Sequence, residues 1–273
     1  MSIMKQYILG LTIVLFLLCS GTYAAEYSDG KLGKALILDG SSHTVKIPHY
    51  AALKPAKAIT ISAWIKPERV GKGGWAWQQI YRKEDGNARA LMAIGEYEKK
   101  HSLCFGLGIG GKYAEHGAPL EPAKVLDGKW HLVSVTFDGK AMKFYADGQE
   151  IGASIKATGS IDTQGQAPAY IGSDIGTREF FKGGIDDVRL YNRALSTGEI
   201  KTMALGDGKA AVNGVVGWWK LDGDLKNSAT KTATGSAAQF RGVDRKWKAT
   251  PFSLAGARLD IRAAGEAAVR VTI

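Results

Sequence analysis

The amino-acid sequence predicts an all-β fold, a sandwich of two antiparallel sheets with one short helix. The first observation is the alternation in WHLVSVTF, residues 130–137. The odd-numbered residues from His131 to Phe137 lie on one face of a strand, and the even-numbered residues lie on the other. The second is a pair of Asp-Gly turns, at residues 138–139 and 147–148, which fold neighbouring hairpin strands back on each other. The third is the recurrence of short strand patterns every roughly 8–14 residues, a spacing typical of a β-sandwich.

The strand patterns begin in KALILDGSSHTVKIP, where two short strands flank the Asp39-Gly40 turn. Later segments alternate in the same way or combine β-branched and aromatic residues, and these are Ile59–Pro67, Gln78–Lys83, Ala88–Gly95, His101–Gly110, Ala169–Gly172 and Gly183–Tyr191. Directly after the last of them, Ser196 and Glu199 form an S-x-x-E capping box, which predicts a short helix.

The N-terminal residues have the pattern of a secretory signal. Lys5 precedes an almost unbroken apolar run, Tyr7–Leu18, and small residues stand at Thr22 and Ala24. An apolar run of about a dozen residues is short for a membrane-spanning helix, which needs roughly 20. We therefore predict a cleaved signal peptide at 1–24, a mature chain from Ala25, and a protein that is secreted, periplasmic or on the cell surface.

The composition is that of a basic globular protein, with a formal net charge of +10. Its lysines are scattered, a pattern that fits either a solvated surface or acidic partners such as sulfated or uronic polysaccharides and anionic envelope polymers. No motif that combines stacking aromatics with a basic stripe indicates nucleic-acid binding. Cys104, the one cysteine left after cleavage, alternates with apolar residues and is expected to be buried in a strand.

The segment GGIDDVRLYNRALSTGEI, residues 183–200, adds a family resemblance. With the preceding Asp-Gly hairpin it resembles the laminin-G-like jelly roll of the concanavalin A-like lectin/glucanase superfamily, in which such a segment is the last strand and helix. The resemblance is dense over Lys31–Leu205. It implies a jelly-roll domain at 25–205, and it leaves the function open because this fold includes both binding modules and enzymes.

The C-terminal part departs from the family pattern. A family domain opens with a strand that this chain lacks after its signal, and a similar segment, VVGWWKLDGDLKN, stands instead at Val215–Asn227. We divide this part into a linker, 206–214, and a tail, 215–273. Either the tail begins a second jelly roll that breaks off, or the chain is circularly permuted and the tail strand completes the only sandwich. The second account is favoured, because about sixty residues bury too little surface to form a sandwich alone.

The resemblance also implies a structural Ca²⁺ ion. Similar proteins use an acidic residue of the I-D-D-V strand and one of the W-x-F-D strand, and the matching positions here are Asp186 and Asp222. Calcium prefers six to eight oxygen ligands, which carboxylates and backbone carbonyls supply. The alternative is structural: Asp186 accepts backbone amides, and Asp187 pairs with Arg189 or Arg193.

A glycan site is predicted around the glycine-rich segment GKGGWAWQQIY. Trp75 and Trp77 face the same side of an extended segment and could stack on sugar rings, with Lys72, Arg82 and Lys83 as basic contacts. The competing interpretation places both indoles in the core, because tryptophan is on average highly buried.

The glucanase motif E-x-D-x-E is absent from the sequence, and Glu96-Tyr97-Glu98 is the nearest approach to it. His116 is the one histidine that merits a test as an acid or base. We therefore expect a non-catalytic module that binds carbohydrate or another cell-envelope component. A protein-binding, adhesive laminin-G-type module is the alternative, and a polysaccharide hydrolase or lyase is a weaker one.

Overall fold

The computed structural model describes residues 25–70, 77–208, 211–229 and 238–242, and the backbone of residues 258–261 and 269–272. The predicted signal peptide, residues 1–24, lies outside the described residues. The chain divides into two compact units, Met1–Gly242 and Val243–Ile273. Among the described residues, no helix is both long enough and apolar enough to cross a membrane.

Strands dominate the first unit. In chain order they are β1 (Glu26–Asp29), β2 (Lys34–Asp39), β3 (Thr44–Ile47), β4 (Ile59–Pro67), β5 (Gln78–Asp85), β6 (Ala88–Tyr97), β7 (Lys100–Ile109), β8 (Lys112–Pro119), β9 (His131–Phe137), β10 (Ala141–Ala146), β11 (Gln149–Lys156), β12 (Ala169–Ile171), β13 (Lys182–Tyr191), β14 (Val215–Trp219) and β15 (Gln239–Arg241). Two short helices, α1 (Pro122–Val125) and α2 (Thr197–Ala204), accompany them. The sequence predicted only α2, because the four residues of α1 are too few to show a helical period.

The strands form the two antiparallel sheets of a sandwich, which confirms the predicted fold class. The eight-stranded sheet has the order β1-β2-β13-β4-β9-β10-β11, and β14 also pairs with β13. The seven-stranded sheet has the order β15-β3-β12-β5-β6-β7-β8. Apolar side chains from both sheets, such as Val135 of β9 and Phe105 of β7, meet in one core.

Both faces of strand β9 are buried. Val133, Val135 and Phe137 lie in the core between the sheets. On the opposite side, Leu132 joins a second apolar cluster with residues of α2, including Ile200. Helix α2 therefore covers the outer face of the eight-stranded sheet at this point, and it begins with the predicted capping box.

The tail strand β14 lies next to the central strand β13. The first half of β13 pairs with β2, from Lys182 to Ile185, and the second half pairs with β14, from Val188 to Tyr191. Two strand segments from opposite ends of the chain therefore share one side of β13. Trp219 of β14 is 1% exposed, and its ring lies 6.3 Å from that of Tyr81 in the other sheet. This is the position that the permuted account assigns to the tail strand.

The second unit is a separate piece of backbone structure. Its described strands, β16 (Arg258–Ile261) and β17 (Val269–Thr272), pair antiparallel with each other as a two-stranded sheet.

His131 closes the end of the β9 hairpin by contacts at both ring nitrogens. Nδ1 lies 2.8 Å from a carboxylate oxygen of Asp147, and Nε2 lies 2.9 Å from one of Asp127. The Asp147 hydrogen bond is the main cause that raises the pKa of His131, and the Asp127 bond adds to it against the effect of burial. Two carboxylate partners require two N–H donors, which only the protonated ring provides.

We expect His131 to make stability depend on pH. A raised pKa in the folded state means that the stabilisation is complete below the ordinary histidine pKa of about 6.5 and is lost as the pH rises through the folded-state value. Melting temperatures of the wild type and of His131→Gln, measured from pH 6 to pH 9, should therefore converge as the pH increases. A constant difference would contradict this role.

We expect Trp219→Ala to destabilise the protein far more than Trp218→Ala. Removing a fully buried tryptophan costs about 3–5 kcal/mol of unfolding free energy, whereas Trp218 points away from the core and is partly exposed. Chemical denaturation of both variants provides the measurement. Equal losses would mean that β14 is an appendage rather than a part of the sandwich.

Candidate functional site

The outer face of the seven-stranded sheet has a trough along β7. The odd-numbered residues of this strand from Leu103 to Leu107 point into the core. Because side chains alternate along a strand, the outward residues are the small ones between them, Ser102, Cys104, Gly106 and Gly108. Cys104 is buried as predicted, and it forms part of the trough floor.

Aromatic rings border this trough, and each lies on a glycine of another strand. A Cβ atom on Gly95 would collide with the indole of Trp77, because the ring lies directly on the β6 backbone. The absence of a side chain at such a glycine allows a ring to cover the sheet surface. The three pairs are Trp77 on Gly95, Tyr113 on Gly106 and Tyr97 on Gly117.

The strand register sets the length of the site. Arg82 of β5, Leu91 of β6, Gly106 of β7 and Glu115 of β8 are successive partners in one row across the sheet. With neighbouring strands about 4.8 Å apart, this row measures about 14 Å. It lies in a cavity of about 200 Å³, which we call the sheet groove and which is lined by Trp77, Gln79, Arg82, Arg89, Leu91, Ala93, Cys104, Tyr113, Glu115 and Glu179.

Ion pairs hold the polar side of the sheet groove in place. Arg82 donates to Glu84 over 2.7 Å and to Glu179 over 3.2 Å. Arg89 also pairs with Glu84, and its guanidinium lies 4.2 Å from the ring centre of Tyr113. The two arginines therefore share Glu84, an arrangement that orients both guanidinium groups before any ligand binds.

Glu179 is the most strongly held carboxylate of the sheet groove. Its oxygen accepts hydrogen bonds from Gln79, over 2.6 Å, and from Arg82. Burial raises the pKa of Glu179, and the bonds from Gln79 and Arg82 partly offset that effect. On the other side of the groove, the hydroxyl of Tyr113 donates to the carboxylate of Glu115.

The structure brings together only part of the predicted glycan site. Trp77 and Arg82 line the same cavity, while Trp75 and Lys72 lie outside the described residues. Lys83 lies on the opposite face of β5 from Arg82 and is only 5% exposed. Its amine bonds the carbonyl of Ala167, and burial is the main cause that lowers the pKa of Lys83 to about 8. The prediction that Lys83 joins Arg82 is corrected, because adjacent residues of a strand point to opposite faces.

Sequence reasoning missed Arg89, Tyr113, Glu115 and Glu179. The period-two pattern of KYAEHGAP, in which Tyr113, Glu115 and Gly117 share a face, was the available signal on β8. Glu96, Glu98 and His116 do not line the sheet groove. Its two glutamates come instead from β8 and from the loop before β13, which are distant in sequence.

The two predicted calcium ligands, Asp186 and Asp222, lie beside β13 near the point where β14 ends and β2 begins. Asp186 accepts the backbone amide of Leu32 over 2.8 Å, and Asp222 accepts that of Lys34 over 2.7 Å. Both carboxylates therefore hold the same turn, at residues 30–34. Asp187 forms an ion pair of 2.8 Å with Arg189, so both aspartates of the I-D-D-V strand have the contacts of the structural alternative.

The donors at this junction match a calcium shell only in part. Oδ1 of Asp186 is buried without a hydrogen-bond partner and could ligate an ion. However, no three histidine, cysteine, aspartate or glutamate side chains converge to hold a metal in the part of the chain that the structure describes. A Ca²⁺ ion bound to Asp186 and Asp222 would need backbone carbonyls and water for most of its six to eight oxygens. Calcium binding stays a prediction.

A second cavity, of about 270 Å³, opens beside this junction. Its wall includes the indole of Trp218, whose ring centre lies 4.3 Å from the Arg189 guanidinium and 4.9 Å from the Lys220 amine. The indole N–H donates to Asp187 over 2.5 Å. The sheet groove combines two aromatic side chains with two arginines and two glutamates, and it is the better candidate for a ligand site.

Comparison with known families defines the class of protein. A family model described as the concanavalin A-like lectin/glucanases superfamily, of laminin-G type, matches residues 39–201, which is more than half of the chain. The chain belongs to this superfamily, as the jelly-roll motif predicted.

Solved structures agree with this assignment at the level of the fold. Domain 4 of AbnA, an extracellular arabinanase from Geobacillus stearothermophilus crystallised with arabinotriose, is 23% identical with a TM-score of 0.50, and the match covers 67% of this chain and 82% of that one. A putative carbohydrate-binding protein from Bacteroides ovatus is 20% identical with a TM-score of 0.54, covering 79% and 61%. The enzymatically active domain of tailspike protein 2 from bacteriophage CBA120 is 13% identical with a TM-score of 0.54, covering 74% and 32%. The matches span less than two thirds of the last two chains.

We expect Asp186→Asn to remove a pH dependence from the folding stability. Burial is the main cause that raises the pKa of Asp186 to about 7, with the charge of Asp187 adding to it. The folded state therefore favours the protonated carboxyl, and stability falls, by on the order of a few kcal/mol, as the pH rises from about 4 to above 7. Asparagine keeps an acceptor for the Leu32 amide without the buried charge.

The measurement is thermal unfolding of the wild type and Asp186→Asn between pH 4 and pH 8. An unchanged pH profile in the variant would contradict the assignment. The same curves with calcium and with chelator test the metal prediction, which requires a calcium-dependent gain that Asp186→Asn and Asp222→Asn abolish.

Proposed function

We propose that this protein is an exported, non-catalytic carbohydrate-binding module that holds a glycan in the sheet groove. One observation carries the proposal: aromatic rings and a preformed network of arginine, glutamate and glutamine line the same cavity. Sites for small ligands are typically concave, largely preformed, and lined by apolar surface with a few placed polar groups.

The two kinds of side chain suit the two kinds of surface on a sugar. The C–H face of a sugar ring can pack on the indole of Trp77, which is fixed by its contact with Gly95. Hydroxyl groups both donate and accept, so they can bond to Arg82 on one side and to Glu179 on the other. The row of about 14 Å from Arg82 to Glu115 is long enough for more than one sugar residue.

The comparisons support a sugar ligand without identifying it. A protein of similar fold was crystallised with arabinotriose, and another is described as a putative carbohydrate-binding protein. The basic net charge of +10 additionally favours contact with acidic envelope polymers outside the sheet groove. A protein-binding, adhesive module is the alternative, and it predicts a partner whose binding is insensitive to changes at Trp77.

A polysaccharide hydrolase or lyase is a second candidate, because two carboxylates, Glu115 and Glu179, line the sheet groove. A retaining glycosidase needs a proton donor and a nucleophile about 5–5.5 Å apart. Here Glu179 is bonded to Arg82 and Gln79, and Glu115 to Tyr113. These contacts suit carboxylates that position ligand hydroxyls, which is why we favour binding without catalysis.

We expect Trp77→Ala and Arg82→Ala each to weaken glycan binding by roughly 10-fold to 100-fold, as for a central contact residue. Trp218→Ala, which removes an aromatic side chain from the other sheet, is the matched control and should bind as the wild type does. The measurement is calorimetry with arabinotriose, cellotriose and chitotriose, after a screen of immobilised polysaccharides.

Two results would overturn the proposal. Equal affinities for the wild type and Trp77→Ala would remove the sheet groove as the site. Release of shorter sugars from any of these ligands, lost in Glu179→Gln, would establish the hydrolase instead.

A further inference from the structure

We propose that the sheet groove is selective for a glycan that carries a protonated amine, and that Glu115 is the residue that recognises the amine. This inference rests on the proposed carbohydrate binding and specifies the chemical class of the ligand.

The first argument is the charge of the sheet groove. Its two guanidinium groups, of Arg82 and Arg89, are both paired with carboxylates, those of Glu84 and Glu179. Glu115 is the third carboxylate of this surface. Over the described ranges no lysine, arginine or histidine forms an ion pair with it, and its hydrogen bond comes from the neutral hydroxyl of Tyr113. When Glu84, which both arginines bind, is counted with the charged residues of the groove lining, the described part of this surface has one negative charge in excess, although the whole chain is basic.

The second argument is the aromatic surface around Glu115. Tyr113 bonds the Glu115 carboxylate, and the hydroxyl of Tyr97 donates to the Glu115 backbone carbonyl over 3.1 Å. Two tyrosines thus contact Glu115, one at its carboxylate and one at its backbone carbonyl. An ammonium group would pair with the Glu115 carboxylate, since the ring of Tyr113 is already contacted by the Arg89 guanidinium.

The third argument is that the surroundings leave this charge unscreened. The trough floor next to Glu115 is formed by Gly106 and the buried Cys104. Burial raises the pKa of the Cys104 thiol, and the charge of Glu115 raises it further, so the thiol stays neutral and adds no charge of its own to the groove. A charge at the edge of a partly desolvated groove discriminates between ligand charges more strongly than one in open solvent.

These arguments disfavour an acidic sugar in the sheet groove. A uronate would face the excess charge of Glu115, and it would have to displace Glu84 or Glu179 to reach an arginine. Acidic polysaccharides, which the net charge favours, would therefore contact the basic surface elsewhere.

The test compares ligands that share a skeleton and differ in charge. Calorimetry on the full-length mature protein would use the β-1,4-linked glucosamine trimer, its N-acetylated form, cellotriose and a galacturonate trimer at pH 6. We expect the wild type to bind the glucosamine trimer at least about tenfold more tightly than cellotriose, as one charge-assisted hydrogen bond implies. The preference should decrease with added salt.

Glu115→Gln should lose this preference while it retains its affinity for cellotriose. Glu26→Gln, on an exposed strand of the other sheet, is the matched control and should keep the preference. Should Glu115→Gln prove unstable, the comparison of the amino and N-acetyl trimers on the wild type still decides the question.

The outcomes separate the two proposals. If the wild type binds neutral and amino trimers equally, or prefers the galacturonate trimer, the amine inference is wrong and the carbohydrate module stands. If none of these sugars and no screened polysaccharide binds, carbohydrate binding itself is wrong, and the inference fails with it.

Discussion

The architecture depends on strand β13 and on the interruption in the middle of it. Along one side, β13 pairs first with β2 and then with β14, and on its other side the register with β4 shifts between Asp186 and Arg189. Asp187 has a positive φ of 50°, an unusual backbone conformation for a residue with a side chain. Two strand ends meeting against one strand leave backbone amides without sheet partners, and buried amides must be bonded.

The aspartates of this junction supply those bonds. Asp186 and Asp222 accept the amides of Leu32 and Lys34, which follow β1 and lead into β2. Asp187 instead connects β13 to β14 through the indole of Trp218, and it forms an ion pair with Arg189 of its own strand. Aspartates at this junction suggest a metal site from their residue type alone. Their hydrogen bonds to backbone amides and to Trp218 give them a structural role instead. The other carboxylate oxygen of Asp186, Oδ1, is buried and accepts none of these hydrogen bonds.

The seven-stranded sheet differs, because no helix among the described residues covers its outer face as α2 covers that of the other sheet. Glycines and other small residues on β7 make that face concave. The rings of Tyr113, from β8, and of Trp77, just before β5, lie on the sheet backbone. An exposed sheet face built in this way is both concave and aromatic. Those properties follow from packing alone, and they are also the properties that a sugar ring requires.

The sequence by itself determined the class of fold, the strand patterns, the capping box of α2 and the membership of the family. These are local features, since period-two alternation, Asp-Gly turns and capping need only neighbouring residues. It also singled out Trp77 and Arg82, because an aromatic pair flanked by glycines is visible in one segment. It also predicted that Arg82 and Lys83 contact the same ligand, but adjacent residues of a strand point to opposite faces.

Only the tertiary structure decided which polar residues meet. Glu115 and Glu179 reach the sheet groove from segments more than sixty positions apart, and strand order and register, which no local pattern encodes, bring them together. The same holds for Asp186 and Asp222, whose shared turn comes from the opposite end of the domain. Long-range pairing is set by the burial of the inner faces of the two sheets against each other, and that is a property of the folded chain rather than of any segment in it.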